Sequence, residues 1–137
     1  MPEADPIATI AQARTIAVVG ASSDPRRASN DVARYLIEAG FTVYLVNPTE
    51  TEILGQPAYA SVRDLPETVD IVDIFRLPRD VPPVVEDAIA AGARCVWMQL
   101  GIVNEVAAAR AAEAGLTVVM DRCTKIEHRA WKAAQGQ

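Results

Sequence analysis

The sequence predicts an α/β chain: a Rossmann-like, doubly wound parallel sheet of about five strands with helices on both faces. Three observations carry this. Short apolar, β-branched runs alternate with longer stretches of helical spacing. The runs are almost free of polar residues, as strands covered on both faces require. Glycine, proline or asparagine interrupts the chain between them, and strand–helix alternation forces right-handed crossovers and a parallel sheet.

Thr15-Ile16-Ala17-Val18-Val19-Gly20 is the first predicted strand, and the spacing of Val32, Tyr35, Leu36 and Ala39 predicts a helix over 29–39, stopped by Gly40. Thr42–Val46 is the second strand, halted by Asn47-Pro48, and Ile71–Phe75 is the third. Residues 79–91 read as a helix with Asp80 near its cap and Pro82-Pro83 in its first turn, where missing N–H groups cost least. Arg94–Gln99 is the fourth strand, 103–114 an Ala-rich helix ended by Gly115, and Thr117–Asp121 the fifth strand. A closing helix runs from Ile126 to about Ala133. The region 49–69 is the least regular, with at most a short helix near Ser61–Leu65. Numbering the predicted strands along the chain, the expected sheet order is 3-2-1-4-5.

With 137 residues and no internal linker or repeat, the whole chain reads as one domain, its core spanning about residues 15–131. Half of the residues are hydrophobic, enough to offset chain entropy without disulfides or metal staples. A net charge of -5 with scattered cations lacks the basic stripe of a nucleic-acid binder. No apolar run approaches the ~18 residues of a membrane span, so no membrane partner is expected. The N-terminus lacks a signal-peptide pattern and the two cysteines, Cys95 and Cys123, have no CxxC spacing. The expected location is cytoplasmic, with both thiols free.

Ligands of open parallel sheets bind beyond the carboxyl ends of the strands, near the point where strand order reverses. In the expected order that point lies between the first and fourth predicted strands. The strongest local signal is Gly20-Ala21-Ser22-Ser23-Asp24-Pro25. A glycine there permits a tight turn that exposes N–H groups to an anion, and the following helix start adds its dipole. Ser22 and Ser23 add hydroxyl donors, Pro25 fixes the turn, and Arg26 and Arg27 add charge where a diphosphate would lie. A bare turn with solvated arginines is the competing explanation. The NAD fingerprint GxGxxG is absent, since Ser22 and Pro25 stand where glycines are needed, and the strand-two acid is replaced by Asn47.

Catalytic chemistry finds little footing. His128, the only histidine, reads as a surface or capping residue. Cys123 is either a thiol activated by the neighbouring Arg122 or a buried structural cysteine. Asp73 lies inside an apolar run and is expected to serve a hydrogen bond. No metal-site spacing occurs. Trp97, Tyr44 and Phe75 lie in strands; Phe75, at a strand end, could contact a base or a pantetheine arm.

The residues Val19-Gly20-Ala21-Ser22, Asp24-Pro25 with Arg27 and Ser29, Val46-Asn47-Pro48, Ile53-Leu54-Gly55, Asp70–Arg76, Val96–Gly101, Asp121-Arg122-Cys123 and Glu127-His128 together resemble the stand-alone CoA-binding domain proteins of bacteria and archaea. These are similar to the N-terminal domain of the succinyl-CoA synthetase alpha subunit. The resemblance implies that Gly20, Ala21, Ser22 and Arg27 face the phosphates of coenzyme A. It also implies that Asn47 and Pro48 line the adenosine, Phe75 and Arg76 border nucleotide and pantetheine, and Gln99 and Gly101 pass the pantetheine arm. The synthetases also use a phosphorylated histidine in a second domain and a partner subunit. This chain has no match to that histidine's context, so ligase activity is not carried over. The leading expectation is therefore a CoA or acyl-CoA binding module without catalysis of its own, acting as a homodimer or beside a partner enzyme. The alternatives are a small thioester- or redox-active enzyme using Cys123 with Arg122 and His128 and, less favoured, an NAD(P)-binding protein.

Overall fold

The computed structural model describes residues 4–136. Its sheet has seven strands: β1 Thr15–Val19, β2 Thr42–Val46, β3 Glu52–Ile53, β4 Gln56–Tyr59, β5 Ile71–Ile74, β6 Cys95–Met98 and β7 Thr117–Val119. The helices are α1 Pro6–Gln12, α2 Ala28–Glu38, α3 Val81–Ala90, α4 Glu105–Glu113 and α5 Thr124–Gln135. All five predicted strands are present, and the sheet is parallel except for the β3–β4 pair.

The strand order is β3-β4-β2-β1-β5-β6-β7, which corrects the expected 3-2-1-4-5. The third predicted strand, now β5, pairs with β1 (Val18 opposite Asp73) and not with β2. The reason lies in the irregular segment 49–69. It folds β3 and β4 into a hairpin through Leu54-Gly55, both with positive φ, which is the backbone of a tight primed turn. β4 then takes the free edge of β2, with Leu45 opposite Ala58, so β5 can only add on the far side of β1. The point of reversal therefore lies between β1 and β5.

Side chains of β1 alternate between two cores. Ile16 and Val18, with Leu45, Ile71 and Trp97, pack on the side that also buries Ile10 of α1, Val32 and Leu36 of α2 and Cys123. Ala17 and Val19, with Val72, Ile74, Val96 and Met98, pack on the side of α3 and α4. Trp97 is wholly buried and its indole N–H donates to the Arg122 carbonyl (2.8 Å). Helix α1 escapes the sequence reading, although Asp5 caps it by accepting from the N–H groups of Ile7 and Ala8 and Pro6 opens it. Among the described residues no helix is long and apolar enough to cross a membrane.

His128 is a second correction. Instead of lying on the surface it is 6% exposed, enclosed by the rings of Phe41 and Trp131 and in hydrogen-bond contact with the Tyr35 hydroxyl at 2.6 Å. Burial, then the charge of Lys132, lowers its pKa below the ordinary histidine value. A neutral imidazole here ties α5 to α2.

Candidate functional site

The carboxyl ends of β1, β2, β5 and β6 surround a cleft of ≈ 710 Å³. Its centre is the turn after β1. Gly20 has φ +88, and a Cβ added to it would lie 2.3 Å from the Phe75 carbonyl oxygen. Glycine is therefore needed for two reasons, the left-handed backbone and the approach of β5. The N–H groups of Gly20 and Ala21 both donate to the Val46 carbonyl (3.0 and 3.2 Å). They are not the exposed donors that the sequence suggests; they clamp the turn to β2. Asn47 completes the clamp, its amide donating to the Ala21 carbonyl at 2.8 Å while its Oδ1 accepts from Thr49.

The free donors lie further on. Helix α2 starts at Arg27 without a side-chain cap, and among the described residues nothing accepts from the N–H groups of Ala28 and Ser29. Such an open helix start carries unsatisfied donors and the positive end of the dipole. Ser22, Arg27, Ala28 and Ser29 all line the cleft beside it. Asn30 holds the loop by donating to the Ser22 carbonyl (2.9 Å).

The two neighbouring arginines part company. Arg26 is 89% exposed and forks onto Asp24, with Nε–Oδ1 and Nη2–Oδ2 both 3.1 Å. That side-chain hydrogen bond, reinforced by the Arg26 backbone N–H and the charge of Arg27, holds Asp24 below the usual carboxylate range. Arg27 and Arg76 line the cleft, and among the described residues neither forms an ion pair. Arg76 lies close over the turn, its Cδ 3.3 Å from where a Gly20 Cβ would be.

Phe75 and Gly101 also line the cleft, the latter with its N–H donating to Asp121 Oδ1 (2.7 Å). The remaining sequence candidates lie outside it. Ser23 donates its N–H to Glu50 (3.2 Å), and Pro25 lies in the exposed loop. Pro48 lines a smaller cavity of ≈ 220 Å³ that shares Gly20, Arg76 and Asp80 with the main cleft. Gln99 is buried, its Oε1 accepting from the Thr124 N–H (3.3 Å). Cys123 is buried at the start of α5, and His128 is engaged by Tyr35 rather than by this thiol.

Sequence reasoning missed Ala28, Glu50, Leu77, Pro78, Asp80 and Ile102, which complete the lining. Glu50 is the most informative. Its Oε2 accepts from the Ser23 N–H and the Asn47 amide (3.4 Å). The cleft thus has a carboxylate at the β2 side after all, three residues beyond the position where one is absent. The site therefore has cationic groups and free N–H donors at its centre, a polar β2 side, and a β5–β6 side where Phe75, Leu77 and Ile102 stand beside Asp80.

Comparison with known proteins identifies relatives of this chain. A family model described as CoA binding domain matches residues 14–129. The chain is 39% identical over 121 residues to the protein YneT of Bacillus subtilis (strain 168), covering 88% of this chain and 90% of that one. A solved structure of a hypothetical protein from Pyrococcus horikoshii OT3 superposes with a TM-score of 0.89 at 40% identity, covering 96% of this chain and 99% of the other. The chain is also 40% identical over 74 residues to acetate–CoA ligase [ADP-forming] I of Archaeoglobus fulgidus, covering 54% of this chain but only 11% of the ligase. It is thus related to a small part of a much longer enzyme, and to small proteins over nearly their full length. The chain belongs to the CoA-binding domain family.

Proposed function

We propose that this protein binds coenzyme A or an acyl-CoA in the cleft and performs no catalysis of its own. The diphosphate sits at the open start of α2, opposite the Gly20 turn, where Ala28 and Ser29 offer N–H groups and Arg27 and Arg76 offer charge. The observation that carries this reading is the pair of unpaired arginines beside an uncapped helix start, in a chain of this family. Adenosine extends toward Asn47 and Glu50 at the end of β2, and the pantetheine arm crosses Phe75 toward Gly101. Binding without chemistry is supported by the lining itself, which offers no cysteine or histidine as nucleophile or base. Delivery of the ligand to a partner enzyme is consistent with the ligase relative, of which this chain matches a small part.

Arg27→Ala is expected to weaken CoA binding by about 1–3 kcal/mol, the scale of a lost charge-assisted hydrogen bond. Arg26→Ala, which removes a group already paired with Asp24, is expected to change the affinity less than threefold, or by roughly 0.6 kcal/mol. Titration calorimetry of the two variants distinguishes them, and an unchanged affinity for Arg27→Ala rejects its role.

A further inference from the structure

Four of the exposed large apolar side chains follow the carboxyl ends of β5 and β6: Leu77 (56% exposed) in the loop after β5, Leu100 (61%) and Val103 (42%) in the loop after β6, and Val106 (80%) in the first turn of α4. Leu77 also lines the cleft, as do Gly101 and Ile102 beside Leu100 and Val103. The apolar rim is therefore continuous with the cleft. It is also built in advance. The Asn104 amide donates to the Pro78 carbonyl (2.8 Å), tying the loop after β5 to the loop after β6. Gly101 is held by Asp121 and the Ile102 N–H donates to the Gln99 carbonyl (2.8 Å). Exposed apolar side chains gathered on two loops that are tied together at the mouth of a cleft mark a ligand contact more readily than an isolated exposed leucine.

The order of the strands fixes which part of a bound ligand reaches this rim. Along β2-β1-β5-β6, the diphosphate position at β1 has Asn47 and Glu50 on one side and, on the other, the apolar Phe75, Leu77 and Ile102 with Asp80 as the one carboxylate among the lining residues there. A nucleoside fits the polar side, so the pantetheine arm runs over β5 to β6 and its thioester emerges among Leu100, Val103 and Val106. We infer that the ligand of this protein carries an aliphatic acyl chain, which lies on the Leu77–Leu100–Val103–Val106 rim. This inference rests on the CoA reading given above. Glu105 stands exposed between Val103 and Val106, and its negative charge disfavours an acyl group that ends in a carboxylate there.

Titration calorimetry of the full chain with CoA, butanoyl-CoA and octanoyl-CoA tests it. Each fully buried methylene is worth about a fourfold gain, and a chain covered on one side gains a fraction of that. Octanoyl-CoA is expected to bind at least ~10-fold more tightly than CoA, with butanoyl-CoA between. Leu100→Ser combined with Val106→Ser is expected to reduce the gain below about threefold while leaving CoA affinity unchanged. Equal affinities for the three ligands would overturn the inference alone and leave the rim to a protein partner. A gradient that survives the double substitution would also overturn it, by placing the chain elsewhere. Failure of CoA and both thioesters to bind would remove the underlying reading as well.

Discussion

Gly20→Ala is expected to destabilise the protein by about 3 kcal/mol or more, or to leave it unfolded, as measured by denaturant unfolding. Positive φ alone costs an L-residue on the order of 1 kcal/mol. Here the added Cβ would also meet the Phe75 carbonyl oxygen at 2.3 Å and its carbon at 3.0 Å. Both atoms belong to a backbone already fixed by the bond from the Phe75 N–H to the Val19 carbonyl (2.8 Å). Relief would require β1 and β5 to separate at the carboxyl ends that frame the cleft. Gly55 supplies the control, because its φ is +73 but nothing lies within 4 Å of its Cβ position. Gly55→Ala is expected to cost only about 1 kcal/mol. Equal losses at the two positions would show that the contact with Phe75 is not what selects glycine at the turn.

Stability should fall as pH rises from about 5 to 8, through Asp73. Its carboxyl is wholly buried on β5, with one hydrogen bond, from the Thr124 hydroxyl to Oδ2 at 2.8 Å, and no partner for Oδ1. Burial without a neighbouring cation pushes its pKa up to about 8, only partly opposed by the Thr124 bond. The native state therefore retains a proton that the unfolded chain has already lost. The stabilisation is fully present below the unfolded value of 3.8 and is gone once the pH passes about 8. A slope of up to ~1.4 kcal/mol per pH unit makes the loss on the order of 3 kcal/mol between pH 5 and 8. His128 acts with the opposite sign: its lowered pKa makes stability rise with pH through the ordinary histidine range. Comparison with Asp73→Asn isolates the carboxyl, since His128 is common to both proteins. The variant should gain on the wild type by about that 3 kcal/mol as pH rises from 5 to 8, in unfolding curves measured across the range. Parallel stability profiles would contradict the protonated state assigned to Asp73.

Burial, with the Asp73 charge adding to it, pushes Cys95 up to about 12, leaving an inert thiol. Cys123 is buried as the residue that precedes α5.

The central strands were legible because β1, β5 and β6 are buried along their full length and so read as apolar runs, interrupted only by Thr15 and Asp73. The order was not, because it is decided by β3 and β4, strands of two and four residues around Gly55 and Pro57. The pairing of β4 with β2 is a tertiary choice that no local pattern announces. Helix α1 carried a readable signal in Asp5-Pro6, but at seven residues it depends on docking against α5. His128 looked like a surface residue because the groups that bury it, Tyr35 and Phe41, come from a distant part of the chain.

At the cleft, the strand-end rule located Gly20, Asn47, Phe75 and Arg76. It did not distinguish residues facing the cleft from those turned inward, as Gln99 is toward Thr124. Nor did it reach Glu50, Asp80 and Ile102, which stand several residues past their strands. The resemblance to CoA-binding domain proteins was visible because its short motifs follow one another in order along nearly the whole chain, and the family match over residues 14–129 covers the same stretch.

The most direct test is titration calorimetry of the full chain with CoA and with NAD under the same salt and pH. Both ligands offer a diphosphate to the start of α2, but only CoA places a pantetheine arm over Phe75 toward Gly101. CoA is expected to bind at least ~10-fold more tightly than NAD, a difference of about 1.4 kcal/mol. Equal affinities, or a preference for NAD, would contradict it.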